Sequence, residues 1–198
     1  MENTVYAPPE SNVDVPAGPD TAYYVVAPVK FFLLSLLTMN LYLVYWFYRN
    51  WRTVKQRTGE SMWPPMRGIF YIFFTHSLFS RVNERIESEG RSFDWQPSAI
   101  ATFVVVLTIL SNVLDRLAWE SIGSPTTDLV SILLVPIMPL LMLKAQRAIN
   151  LASDDFEART NSRLTPLNWI WMILGALFWL LVLFGIFVIL AEPELYAE

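Results

Sequence analysis

The chain has 198 residues; 54% are hydrophobic, 15% aromatic and only 16% charged, with 14 Lys and Arg against 18 Asp and Glu. Soluble domains average about 25% charged residues, so the composition points to membrane rather than to a soluble core. Without cysteine, disulfides, thiolate metal sites and cysteine nucleophiles are excluded.

Residues 1–22 carry Glu2, Glu10, Asp14 and Asp20, no Lys or Arg, and Pro8, Pro9, Pro16 and Pro19. A signal peptide begins with a basic patch and an apolar run. This segment has neither, and an acidic, Pro-rich tail over residues 1–24 is expected to be disordered. The membrane domain is expected over 25–191, followed by an acidic tail at 192–198 with Glu192, Glu194 and Glu198.

The first apolar run covers residues 29–48. Twenty residues at about 1.5 Å each give roughly 30 Å, one hydrocarbon core. Lys30 stands at its edge, where its stem can snorkel. Tyr42, Tyr45, Trp46, Tyr48 and Trp51 form an aromatic belt at the other end, followed by Arg49, Arg52, Lys55 and Arg57.

Residues 65–89 are apolar at first but too short in that part to cross, and charged afterwards. Phe70, Phe74, Leu78, Val82 and Ile86 recur every four residues as one stripe. This predicts an amphipathic helix lying on, or dipping into, the cytoplasmic leaflet. A helix packed along the bundle is the alternative.

The second span is predicted at 98–114 and is closed by Asp115 and Arg116. The third covers 127–143. Pro136 and Pro139 lie inside it and predict a kink. Thr165 and Pro166 read as cap and first-turn proline of the fourth, an uncharged run at 167–190.

Charge sets the threading. Residues 49–97 hold eight Lys and Arg, and residues 144–166 hold four more; only Lys30 and Arg116 lie elsewhere. Basic loops stay in the cytoplasm. Four spans then place both termini outside.

Lys30 to Thr38, followed by Tyr42 and Tyr45-Trp46-Phe47-Tyr48-Arg49, resembles the opening helix of small bacterial inner-membrane proteins of unknown function. Many of those show a Thr-x-Gly turn where this chain has Thr38-Met39-Asn40. Residues 73–79, 146–150 and 168–175 resemble a narrower group of uncharacterised proteobacterial proteins. The resemblance implies an inner-membrane location and carries over no catalytic or binding residue.

Candidate polar residues follow from the membrane setting. His76, the single histidine, with Thr75 and Ser77 could line a polar pocket or sense pH, or bond between helices. Asp115 and Arg116 are an acid–base pair beside a span, readable as a functional pair or as an interfacial anchor. Pro136 and Pro139 could mark a hinge or a broken helix. Asn40 and Asn112 could bond across helices. Asp154, Asp155 and Glu157 read as a solvated turn. Arg49, Arg52, Lys55 and Arg57 should attract anionic lipid headgroups. No nucleic-acid module, Walker loop or nucleophile–base pair is present.

The sequence therefore predicts an all-α membrane protein with four transmembrane helices and one cytoplasmic amphipathic or re-entrant helix. It is expected to be non-enzymatic and without a cofactor. Its expected role is to recognise another membrane component in regulation, assembly or toxin immunity. A small transporter or channel subunit is the alternative.

Overall fold

A computed structural model describes residues 21–191. The expected tails at 1–20 and 192–198 lie outside the described residues. All regular secondary structure among those described is helical: α1 (Pro28–Leu37), α2 (Leu41–Thr58), α3 (Pro64–Ile69), α4 (Tyr71–Ser88), α5 (Pro97–Trp119), α6 (Thr126–Leu134), α7 (Ile137–Ala152) and α8 (Pro166–Ala191). A 3-10 turn at Arg159–Asn161 precedes α8. Among the described residues three stretches are long and apolar enough to cross a membrane, namely α5, Thr126–Ala152 (α6 with α7) and α8.

The apolar run 29–48 is not one helix, and this corrects the first predicted span. The chain breaks at Met39 and Asn40, both left-handed, with φ of 48° and 66°. Two consecutive left-handed residues reverse the helix direction. The Phe31 ring accordingly lies 6.1 Å from that of Tyr42 and 5.7 Å from that of Trp46. The Tyr24 N–H donates to Asn50 Oδ1 at 3.1 Å. Residues 24 and 50 cannot stand on opposite sides of a bilayer, so α1 and α2 form a hairpin.

Residues 65–89 also divide. Phe70 leaves helical geometry at ψ 40° and separates α3 from α4. The α3 helix climbs against α2, where Gly68 sits so close that a Cβ would meet Val44 O at 2.8 Å. The α4 helix descends, with Tyr71 stacked 4.9 Å from Phe47 and Arg81 bridged to Glu60 at 2.7 Å. Of the apolar stripe, Leu78, Val82 and Ile86 are buried against the bundle, while Phe70 is exposed. This is the packed alternative rather than a helix lying free on a surface.

Residues 21–24, expected in the disordered tail, are part of the fold. Ala22 and Tyr23 are buried, and residues 21–27 cross the bundle as an extended strap. The Tyr23 N–H donates to Ser153 Oγ at 3.0 Å and the Ala27 N–H to Asn161 O at 3.3 Å. The strap thus lies at the same end as the loop after α7.

That end collects the positive charge. Lys30 donates to Arg163 O, Arg85 to Ala152 O and Arg91 to Leu151 O. Once α1 and α2 are a hairpin, Lys30 joins the twelve basic residues of the two loops, and Arg116 alone stands at the other end of the apolar helices. The core is built at the basic end from Phe31, Trp46, Phe47 and Trp51 of the hairpin, Leu78 and Phe79 of α4, and Met142 and Ile149 of α7.

Candidate functional site

The tip of the first hairpin meets the interruption between α6 and α7. Proline has no N–H, so Pro139 leaves the carbonyl of Val135, four residues earlier, without its helical donor. Asn40 Nδ2 donates to that carbonyl at 3.0 Å. Pro136 likewise strands the Ile132 carbonyl, which the Val135 N–H takes up at 3.2 Å. Two interrupted helices are therefore stitched together through the backbone groups that the interruptions release.

The tip has its own supports. Thr38 Oγ1 donates to Leu34 O at 2.7 Å and accepts from the Tyr42 N–H at 3.0 Å, which closes α1 and opens α2. Trp179 of α8 donates to Leu36 O at 2.9 Å. Gly175 lies against the same turn, where a Cβ would collide with Leu37 O. Ser35 Oγ and Asn40 Oδ1 are buried there without a hydrogen-bond partner among the described residues.

Below the junction, side-chain amides hold the strap. Asn150 pairs with Val26 as a neighbouring strand would, accepting from its N–H at 3.2 Å and donating to its carbonyl at 3.0 Å. Gln146 donates to Asn150 Oδ1 at 2.6 Å and accepts from the Trp46 indole. Lys30, 5% exposed, donates to Asn161 Oδ1 at 2.6 Å, so it is anchored inside the fold rather than snorkelling outward. The strap has no ladder partner of its own, and these amides satisfy backbone groups that would otherwise be buried unpaired.

The predicted polar residues do not converge. Thr75 is buried and bonds back to Tyr71 O, while His76 and Ser77 face outward; His76 Nε2 lies 3.1 Å from Thr102 Oγ1. Asn112 donates to Thr108 O in its own helix and lines an open cleft of about 490 Å³ between α4 and α5 with Ile72, Val113 and Arg116. Asp115 and Arg116 are not paired with each other: Asp115 accepts from Ser131 of α6, and Arg116 bridges to Glu120 at 2.6 Å. Of the two, Asp115 ties helices together.

Among the proposed headgroup residues, Arg49 lies 4.7 Å from the centre of the Tyr24 ring, and Lys55 donates to Met62 O at 2.9 Å. Arg52 and Arg57 remain exposed. In the loop, Asp154 bridges to Arg91 at 2.9 Å, and Asp155 accepts from the Arg159 and Thr160 N–H groups. Burial raises the Asp155 pKa, but the bonds from Thr160 and Arg159 outweigh it and hold the carboxyl below its ordinary value. Sequence reasoning missed Gln146, Asn150 and Asn50 as structural anchors. Two amides four residues apart, on the face of α7 away from Lys144 and Arg147, were the signal.

Comparison of the chain with protein-family models, with curated proteins and with solved structures found no match.

Proposed function

We propose that the chain is a non-enzymatic, multi-pass bacterial inner-membrane protein that recognises another membrane component through α8. The observation that carries this is the attachment of α8. It runs 26 residues without a charge, touches the bundle along one edge at Met172, Gly175 and Trp179, and leaves Leu177, Leu181, Phe184 and Phe187 exposed. Helix association in lipid depends on packing rather than on the hydrophobic effect. A long uncharged helix held by one edge is open to a second transmembrane helix on the other. Regulatory, assembly and toxin-immunity roles all use such lateral contact. A photo-crosslinking residue at Phe184, activated in native membranes, should give a discrete protein adduct. Adducts with lipid alone would overturn the reading.

The threading follows from charge and from the hairpin together. We place the basic end in the cytoplasm, with the strap 21–27 there and the far end of α8 outside. This replaces the expectation that the chain enters α1 from outside. A reporter that folds only in the cytoplasm should be active when inserted at Glu157 and silent when fused after Glu198. At the cytoplasmic end, exposed Arg52 and Arg57 are placed to meet anionic headgroups, at about 1 kcal/mol per charge.

One observation favours a transport or channel subunit instead, namely the meeting of two interrupted helices at Asn40 and Val135. Against it, Phe31, Trp46, Phe47, Met142 and Ile149 fill the space beneath that junction. Solute or ion flux in liposomes that Asn40→Ala abolishes would favour transport.

A further inference from the structure

The two hairpins are not spread evenly along the apolar helices. The tip of the first touches α8 at Gly175, nine residues from the start of that helix, roughly 14 Å at 1.5 Å per residue. It touches the α6–α7 stretch at Val135, nine residues from its far end. The tip of the second places Tyr71 Oη 3.1 Å from Thr108 Oγ1, eleven residues into α5, roughly 16 Å. The first tip therefore stops about half-way across a core of about 30 Å, and the second, with Gly68 against Val44 and Tyr71 stacked on Phe47, stops about one helical turn short of it.

The charges agree with that depth. Counting away from the tips or the interruption, Lys30 is eight residues from Thr38, Arg49 nine from Asn40, Arg81 eleven from Phe70 and Lys144 nine from Val135. Between these charges and the mid-level α1, α2, α4 and α7 are mainly apolar; the short α3 carries Arg67 three residues from Phe70, its guanidinium turned back to the Trp51 ring at 4.3 Å. The half next to the basic end thus holds seven helical segments: α1, α2, α3, α4, α7 and the near halves of α5 and α8. The other half holds three, α6 and the far halves of α5 and α8.

We propose that this protein is a wedge in the bilayer, with a lipid surface as its partner, and favours membrane whose leaflet on the basic side is convex. A helix with its side chains is about 10–12 Å across, so four additional segments displace on the order of 300–450 Å² more lipid from one leaflet than from the other. A leaflet relieves that excess by curving away from its partner, and insertion into one leaflet couples binding to curvature. The exposed Ile69, Phe70 and Phe73 lie at the tip of the second hairpin, where they occupy lipid volume rather than protein core.

The test uses the full chain and the absence of cysteine. Gln56, exposed on α2 at the basic end, is changed to Cys, and the purified Gln56→Cys protein is reconstituted into small sonicated and large extruded vesicles of the same zwitterionic lipid. A membrane-impermeant thiol reagent reports the fraction with the basic end outward, and detergent gives the total. In small vesicles the outer leaflet is convex, so the outward fraction and the protein density per lipid should rise roughly twofold or more over large vesicles. The rise should persist at high salt, where headgroup attraction is screened. An outward fraction and a density that do not depend on vesicle size would overturn the wedge, and a rise abolished by salt would assign the preference to charge instead. None of these readings depends on a protein partner at α8, so failure here and failure of the recognition reading are separable.

Discussion

The Asn40 side-chain amide donates to the Val135 carbonyl at 3.0 Å, across 95 residues of sequence. Each residue explains the other. Val135 has a free carbonyl because Pro139 supplies no N–H. Asn40 can reach it because its own backbone is left-handed, at φ 66°. Asparagine is among the few residues with a side chain that tolerate that region. Asparagine keeps the turn and adds a donor that glycine lacks.

Asn40 should accordingly show a graded response. Asn40→Gly retains the backbone conformation and removes the inter-helix bond, at a cost of about 1 kcal/mol. Asn40→Val removes the bond and forces a branched side chain into left-handed geometry, at about 1–2 kcal/mol more. Thermal unfolding in detergent should rank wild type above Asn40→Gly and Asn40→Gly above Asn40→Val. Equal midpoints for the two variants would mean that the turn is not left-handed.

Gly175 should tolerate no side chain. A Cβ there would collide with the Leu37 carbonyl oxygen and lie 2.6 Å from its carbon, both backbone atoms that cannot swing away. Gly175→Ala should push α8 off the hairpin tip, loosen the Trp179–Leu36 bond and cost about 1–3 kcal/mol. Gly185, where an added Cβ would meet nothing within 4 Å, is the control in the same helix. Gly185→Ala should leave the unfolding midpoint unchanged or slightly higher.

Asn150→Leu should release the strap. The substitution leaves the Val26 N–H and carbonyl without partners and removes an acceptor from Gln146. Each buried orphan costs about 1–3 kcal/mol. Limited chymotrypsin digestion should then cleave at Tyr23 and Tyr24 faster than in the wild type. Arg147→Ala, at an exposed position of the same helix, should not change the cleavage rate.

Tyr23 sets a limit at high pH. Burial raises its phenol from the ordinary 10.0 to about 12, against the opposing pull of Arg85, Arg57 and Arg81. The folded state thus holds the proton more tightly than the unfolded chain. The contribution is fully present below about pH 10 and is lost as the pH rises through about 12. Two units correspond to a loss on the order of 2–3 kcal/mol. Tyr23→Phe cannot ionise, so its stability should fall less than that of the wild type over the same interval. Parallel pH profiles would show that Tyr23 is not buried as described.

Legibility in the sequence varied with the range of the interactions involved. The start of α5 at Pro97 and of α8 at Pro166 was readable because proline and the neighbouring polar residues act within one turn. The interruption near Pro136 was readable for the same reason. The kink did not reveal its partner, since nothing local points from Val135 to Asn40. Thr75, His76 and Ser77 resemble one polar site because they are adjacent, yet a helix turns about 100° per residue and sends them to different sides. Gln146 and Asn150 resemble exposed polar residues at a helix end, and they are buried because the strap returns over them.

Composition and charge alone pointed to a helical membrane protein with four spans and to basic residues gathered on one side; among the described residues three stretches are long and apolar enough to cross. They could not decide the fate of residues 29–48. Twenty apolar residues have the length of one full crossing and equally of two half-crossings, and hydropathy does not distinguish them. The decision came from groups far away in sequence. Trp179 takes up the Leu36 carbonyl, Gly175 makes room for the turn, and Val135 offers the acceptor that Asn40 needs. A reversal in an apolar setting leaves backbone groups that water cannot satisfy, so only a tertiary structure that supplies those partners can make the hairpin.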